Sequence, residues 1–253
     1  MNSQIQMIQG FDFTDYKTFL ISFVFIFLIV FLRYLFLSGV YYWIFLVVYR
    51  RKFRKRMLSK QDPKVGQIKR ELLLSVYSAL IFTFIGMVLL ILWQKGYTTI
   101  YSDISEYPLW YIPVSILLYL VLHDTYYYWL HRWMHESRVI RGFHMEHHKS
   151  VDTTVFTSFS FHPVESFLQA LIVPVLLFII PMSVIAIMIT LALMTISAII
   201  NHAGVEIYPS NKNSSLFRKY IIGATHHDYH HRNSKKHFGL YFTFWDRLMK
   251  TEL

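Results

Sequence analysis

The chain contains no cysteine in 253 residues. That excludes disulfides, cysteine-ligated iron–sulfur clusters and thiolate catalysis, and leaves the redox compartment open. Acidic residues are also scarce, 15 against 25 Lys and Arg, giving a formal charge of +10. Such an excess can mark a nucleic-acid binder. Here the basic residues are segregated between apolar runs rather than gathered on a folded face, so no nucleic-acid partner is expected. Glycine and proline number only 9 and 7, and no repeat, linker or low-complexity segment divides the chain. It reads as a single membrane domain, 1–253. A basic leader is missing too: Asp12 and Asp15 precede the first base, Lys17, so no cleaved signal peptide is expected.

What is present is apolar length. Hydrophobic residues make up 55% and aromatics 18% of the chain, and several runs approach the roughly 20 residues that cross a bilayer core. The first, Phe19 to about Tyr49, suits one tilted, overlong helix in which Arg33 snorkels or pairs. The basic block from Arg50 to Arg56 stops it. A second run covers Leu72 to Trp93. A third, about Leu109 to Leu122, continues as helix into a histidine cluster, with Pro113 near its start where a missing amide matters least. Two further runs, Val164–Ile180 and Met182–Ile200, are split by Pro181 and read as a helical hairpin kinked at Pro174. Both are short enough to be re-entrant. The pattern predicts an all-α integral membrane protein with about four to five membrane-inserted helices, residues 1–108 forming its N-terminal transmembrane region. With the N-terminus outside, 22 of the 25 basic residues fall on the cytoplasmic side. The same topology puts every histidine cluster there, together with His162 and His202.

Nine of the thirteen histidines form three clusters: His131 and His135; His144, His147 and His148; and His226, His227, His230 and His231. Spacings of three and four put imidazoles on one helix face. A single such pair is as easily an ordinary interfacial feature. Three together point to a metal site, and eight converging nitrogens would serve two ions with about four each, leaving positions open. The rings form a histidine-rich helical cap facing the cytosol and holding a dimetal centre. His202, alone at the end of the last run, is an interfacial residue or a ninth ligand. His226 is a ligand or a neighbour of one. His123 lies about 12 Å along the helix from His131, too far to share its ion. Asp124 and Glu165 are candidate acceptors for imidazole N–H groups. His162 reads as structural or as a neighbour of a ligand, and His237 as surface. The aromatic runs 126–129 and 240–245 read as interfacial belts. The basic run 50–56 is a topogenic signal that also suits anionic headgroups.

Neutral imidazole suits iron, zinc, copper or nickel alike. An apolar substrate in a bilayer offers mainly unactivated C–H bonds, which favours a redox metal with dioxygen. A histidine-rich metal transporter is the alternative of a different class. Transporters place ligands near the bilayer midplane at broken helices, whereas these clusters stand at helix ends.

Several strings carry a resemblance. They are His123-Asp-Thr-Tyr-Tyr-Tyr-Trp-Leu-His131-Arg132, His144-Met-Glu-His-His148-Lys-Ser150 and Ser158-Phe-Ser-Phe-His162-Pro-Val-Glu165. To these add His227-Asp-Tyr-His-His231 and Gly239-Leu-Tyr-Phe-Thr-Phe-Trp-Asp-Arg-Leu248. Together they resemble the fatty acid hydroxylase/sterol desaturase superfamily, and within it the sterol desaturase branch, over about residues 109–250. The resemblance makes 109–250 the catalytic region. It implies two iron ions (zinc being possible as isolated), dioxygen as cosubstrate, and electrons ultimately from NAD(P)H. A separate donor, a b-type cytochrome or a ferredoxin with its reductase, would deliver the electrons. The implied reaction is desaturation or hydroxylation of a lipid, sterol-like in this branch and fatty-acyl or carotenoid in others. His131, His135, His144, His147, His148, His227, His230 and His231 carry over as ligands, with His202 the ninth; Glu206 stands where hydroxylase relatives place another histidine. The tail 250–253 lacks a retrieval signal, which favours a bacterial inner membrane over the endoplasmic reticulum.

Overall fold

A computed structural model describes residues 11–59, 62–209 and 219–252. Lys60, Lys212 and Arg218, counted above among the cytoplasmic bases, lie outside the described residues, as does Leu253 of the tail. Helix α1 (Tyr16–Tyr41) starts at Asp15, whose carboxylate accepts the Thr18 N–H at 3.0 Å. It continues through a π-helical stretch, Tyr42–Val48, as one apolar rod of 33 residues. Short helical turns over 50–56 reverse the chain. Helix α2 (Val65–Gln94) then runs alongside α1. After it come α3 (Tyr111–Glu136), α4 (Arg141–His148), a 3₁₀ turn at Val155–Phe159, α5 (Pro163–Ala170), α6 (Ile172–Ile179), α7 (Val184–His202), α8 (Ala224–Arg232) and α9 (Phe244–Leu248).

Among the described residues three helices are long and apolar enough to cross a bilayer: α1 with its extension, α2 and α7. The apolar arm Pro163–Ile179 is shorter. Large side chains face outward along these helices, Phe25 at 63%, Phe36 at 68% and Ile185 at 52% exposure. A surface so apolar is stable only under acyl chains. Helix α3 is unbroken from an apolar first half into a histidine-bearing second half, as expected.

The structure departs from expectation in a few places. The hairpin's first arm breaks at Leu171 rather than at Pro174. Pro174 has no N–H for the Ala170 carbonyl and its ring crowds that oxygen, so the fault appears one turn upstream. A two-residue parallel pairing of β1 (Ile100–Tyr101) with β2 (Met182–Ser183) joins the two loops at the far end, beside Leu177 and Ile180 of the core. Arg33 forms no ion pair among the described residues, and its Nε is buried without a hydrogen bond. Of the expected aromatic belts, Trp129 and Phe244 do face outward, but Tyr127, Tyr128 and Tyr241 are buried. Tyr127 precedes His131 by one helical turn, so it shares the inward face.

A polar stripe welds the cap to the membrane helices. Glu71, Ser75, Ser78 and Ala79 recur at helical spacing on the buried face of α2, the small and hydroxyl residues that let membrane helices approach closely. The Tyr34 hydroxyl meets Ser75 Oγ at 3.0 Å and donates to the Phe156 carbonyl at 2.9 Å. Ser78 Oγ lies 2.8 Å from Ser166 Oγ. Glu71 is fully buried and accepts four hydrogen bonds, from Gln67 Nε2, Ser150 Oγ, Thr154 Oγ1 and Thr157 Oγ1, at 2.6–2.9 Å. One carboxylate thereby fixes the segment that follows the second histidine cluster. Glu71→Ala would leave those donors unsatisfied in a low-dielectric site, at a cost of about 3 kcal/mol. The melting temperature in detergent should fall by roughly 6–12 °C, and a fall below 2 °C would contradict the anchoring role.

Candidate metal centre

Eight of the nine histidines clustered by spacing, all but His226, come together with the lone His202 in two groups. His131, His135, His144, His148 and His230 form one; His147, His202, His227 and His231 form the other, and all nine are buried. Helix ends supply them. The last two turns of α3 provide the first pair, α4 the next three, the C-terminus of α7 His202, and α8 the last three. Adjacent His147 and His148 point 100° apart around α4, so this helix feeds both groups. The same division occurs at His230 and His231 on α8.

Every nitrogen–nitrogen contact of hydrogen-bond length between rings within a group is made through Nε2. In the first group Nε2–Nε2 distances are 3.1 Å for His131–His144, 2.9 Å for His135–His144 and 3.1 Å for His144–His148, His135–His230 and His148–His230. In the second they are 3.2 Å for His147–His202, 2.8 Å for His202–His227 and 3.2 Å for His227–His231. The opposite nitrogens explain the aim. Nδ1–H donates to a backbone carbonyl from His131 (Phe238, 2.9 Å), His147 (Ser160, 3.1 Å), His202 (Ala198, 2.7 Å) and His230 (Lys236, 2.7 Å). His144 Nδ1 lies 2.8 Å from Glu165 Oε1. A carbonyl can only accept, so the proton sits on Nδ1 and Nε2 is left as a lone pair.

This decides whether the residues fit a metal. His147 and His202 both donate Nδ1–H to carbonyls, and no proton remains to bridge their Nε2 atoms. Two lone pairs facing each other at 3.2 Å in a buried site repel unless a cation lies between them. Imidazole nitrogens about 2.1 Å from one ion and at right angles would stand about 3 Å apart, which matches the spacing seen. Burial, reinforced by neighbouring imidazoles, holds His131, His144, His147, His227, His230 and His231 well below the ordinary histidine value. It takes His135 down to about 2 and His148 to about 4. The rings are therefore neutral near pH 7 and competent to ligate.

The remaining candidates fall outside both groups. His123 packs on Tyr119, with Nδ1 3.3 Å from the Tyr241 hydroxyl. His162 caps α5, its Nδ1 accepting the Val164 N–H. His226 meets His237 edge-to-face. His237, expected at the surface, is only 7% exposed: its backbone turns at φ 60° and its N–H donates to the Thr251 carbonyl, which tucks the ring between His226 and Tyr229. Glu165 does lie against an imidazole nitrogen, His144 Nδ1, as anticipated, but Asp124 does not. Asp124 Oδ1 accepts the Leu240 and Tyr241 N–H groups at 3.1 and 2.7 Å instead, because the 240–242 backbone crosses α3 at that point. Glu206 accepts from the Tyr208 and Thr225 N–H groups and from Thr225 Oγ1, bracing the start of α8. Gly223 must be glycine beside it, since a Cβ would come within 2.7 Å of the Tyr208 ring.

Sequence reasoning did not single out Asp246, which is buried and accepts the Phe238 and Gly239 N–H groups, both at 2.9 Å. That contact positions the Phe238 carbonyl under His131. The neighbouring Gly239 was the available signal: a Cβ there would sit 2.6 Å from Ile222 and 2.7 Å from the Phe242 carbonyl.

With the site described, the comparisons give its class. The fatty acid hydroxylase family model matches residues 116–251, and the chain belongs to that family. Similar curated proteins are sterol desaturases. Human lathosterol oxidase is 31% identical over 185 residues, covering 72% of this chain and 60% of the human protein. Rat lathosterol oxidase is 32% identical with the same coverage. A delta(7)-sterol 5(6)-desaturase of Gibberella zeae is 28% identical over 181 residues, covering 72% of this chain and 54% of the fungal protein. The chain thus spans 54–60% of the length of these relatives. No solved structure gives a significant match.

Two outcomes follow from the geometry. Glu165→Gln keeps the shape but weakens the acceptor behind His144, and should lower metal affinity about 10- to 100-fold without unfolding the protein; an unchanged titration would contradict the coupling. Acid should destabilise the metal-free protein. The folded-state values lie below the ordinary 6.5, so above that pH neither state binds protons. Below it the unfolded chain takes up protons that the folded rings refuse. The melting temperature after chelation should therefore fall from pH 7 to pH 5, and a flat profile would contradict neutral buried rings.

Proposed function

We propose that the chain is a membrane-bound, non-haem diiron oxidoreductase that uses dioxygen to desaturate or hydroxylate a C–H position of a lipid, with a sterol-like substrate in lipid or sterol biosynthesis the best-supported class. The convergence of nine buried imidazoles into groups of five and four carries this reading. Iron held by these rings would supply the one-electron and dioxygen chemistry that side chains lack. His131, His135, His144, His148 and His230 would hold one ion, and His147, His202, His227 and His231 the other. The chain's own contribution is to keep these rings neutral and aimed, and to exclude water from the reacting carbon by burying every one of them.

The substrate class rests on the similar sterol desaturases, and the lipid character on the apolar spans that end at the site. The ligands sit in the last turns of α3 and at the end of α7, not at a midplane break, which supports an enzyme over a metal transporter. Electrons would arrive from a separate b-type cytochrome or ferredoxin and its reductase, drawing ultimately on NAD(P)H. The site would face the cytoplasm of a bacterial inner membrane, with 109–250 as the catalytic region and 1–108 as the transmembrane region preceding it. A fatty-acyl substrate is the second reading, favoured by the description of the matched family.

Single alanine substitutions at His144, His147 and His148 test the ligand set. Each should reduce bound iron from about two per chain and lower product formation at least 100-fold while the protein stays folded. Retained activity in all three would overturn it. Comparison of sterols with acyl chains in cells with and without the gene separates the two substrate classes.

A further inference from the structure

A cavity of about 1600 Å³ opens where α1 ends, between its π-helical extension, the start of α2 and the segment 149–156. Typical small-molecule pockets measure roughly 300–1,000 Å³, so this one holds more than a small metabolite. One wall is apolar and continuous with the membrane span, through Tyr42, Leu46 and Val47. The opposite wall is basic, with six cations, Arg50, Arg51, Arg54, Lys64, Arg70 and Lys149, against the acids Asp62 and Asp152.

The acids are already engaged. Asp62 pairs with Arg50 at 3.4 Å and Asp152 with Arg232 at 2.7 Å; Lys149 pairs with Glu146. The side chains of Arg51, Arg54 and Lys64 make no ion pair or hydrogen bond among the described residues. Arg70 donates from Nη2 to Ser150 Oγ at 2.8 Å, and its Nε is buried without a partner. Four cations therefore line a concave, half-apolar space with no unpaired carboxylate opposite them among the described residues. A surface salt bridge would need acids supplied from outside, and a buried guanidinium N–H needs an acceptor.

We propose that this cavity is a site for an anionic phospholipid, its phosphate held by Arg51, Arg54, Lys64 and Arg70 and its acyl chains lying along Tyr42, Leu46 and Val47. The position favours a lipid over an acidic protein. The cations ring a recess at the end of a membrane span rather than forming a convex face, and the apolar wall leads into the bilayer. Headgroup attraction of this kind acts per basic residue and falls off within a Debye length.

The test uses the full chain purified in a neutral detergent and titrated with dioleoyl-phosphatidylglycerol or dioleoyl-phosphatidylcholine, with bound lipid counted by native mass spectrometry. Phosphatidylglycerol should bind at least tenfold more tightly than phosphatidylcholine. The combined substitution R51Q/R54Q/K64Q should remove that preference, while R138Q/K235Q, at exposed bases elsewhere, should leave it intact. Size-exclusion profiles and iron content equal to those of the unsubstituted chain exclude misfolding as the cause. Three results would overturn the proposal: equal binding of the two lipids, a preference that survives the triple substitution, or displacement of phosphatidylglycerol by equimolar inorganic phosphate. If the triple variant binds phosphatidylglycerol normally but accepts electrons slowly from an acidic donor protein, the cations serve that protein and the lipid site is wrong.

Discussion

The structure depends on what stands behind the imidazoles, at the nitrogen that faces away from the centre. Backbone carbonyls at Phe238, Ser160, Ala198 and Lys236 take Nδ1–H from four rings, and Glu165 lies against a fifth. Nε2 then has nothing to donate, and lone pairs from four helices are driven into two small volumes. That arrangement is unfavourable on its own. A positive ion among the nitrogens would relieve it, which would couple metal binding to stability.

Much of the rest supports those carbonyls. Asp246 accepts the Phe238 and Gly239 amides, Asp124 the Leu240 and Tyr241 amides, and Asn201 Nδ2 donates to the Leu240 carbonyl at 2.9 Å. The C-terminal segment is thereby fixed against α3 and α7 without forming a sheet. On the opposite side Glu71 fixes the segment leading from α4 to the Ser160 carbonyl. Buried carboxylates are acceptable here because each accepts several N–H or O–H groups. The membrane helices provide the rigid frame, and the cap provides the chemistry.

The histidine groups were legible because their signal is local: spacings of three and four need only helical geometry to face one way. His202 was harder, since a lone histidine carries no spacing, and its place in the second group depends on where the whole of α7 ends. Three of the apolar runs mark the helices long enough to cross a bilayer, although the second of these begins at Val65 rather than near Leu72, and the break at Leu171 instead of Pro174 shows that a proline acts on the carbonyl one turn before it. What stayed hidden were the long-range carboxylate anchors. Glu71 reads as one acid beside a basic block, and Asp246 as one residue in an aromatic run. Their partners lie 79 and 8 positions away, respectively, in contacts that only folding creates. His237 misled for the same reason: isolation in sequence is not exposure in space.

X-ray absorption of the iron-loaded, detergent-purified chain tests the central claim most directly. Two irons per chain with shells dominated by imidazole nitrogen, and an iron–iron vector between them, are the predicted result. A single iron per chain, or shells dominated by oxygen, would contradict it.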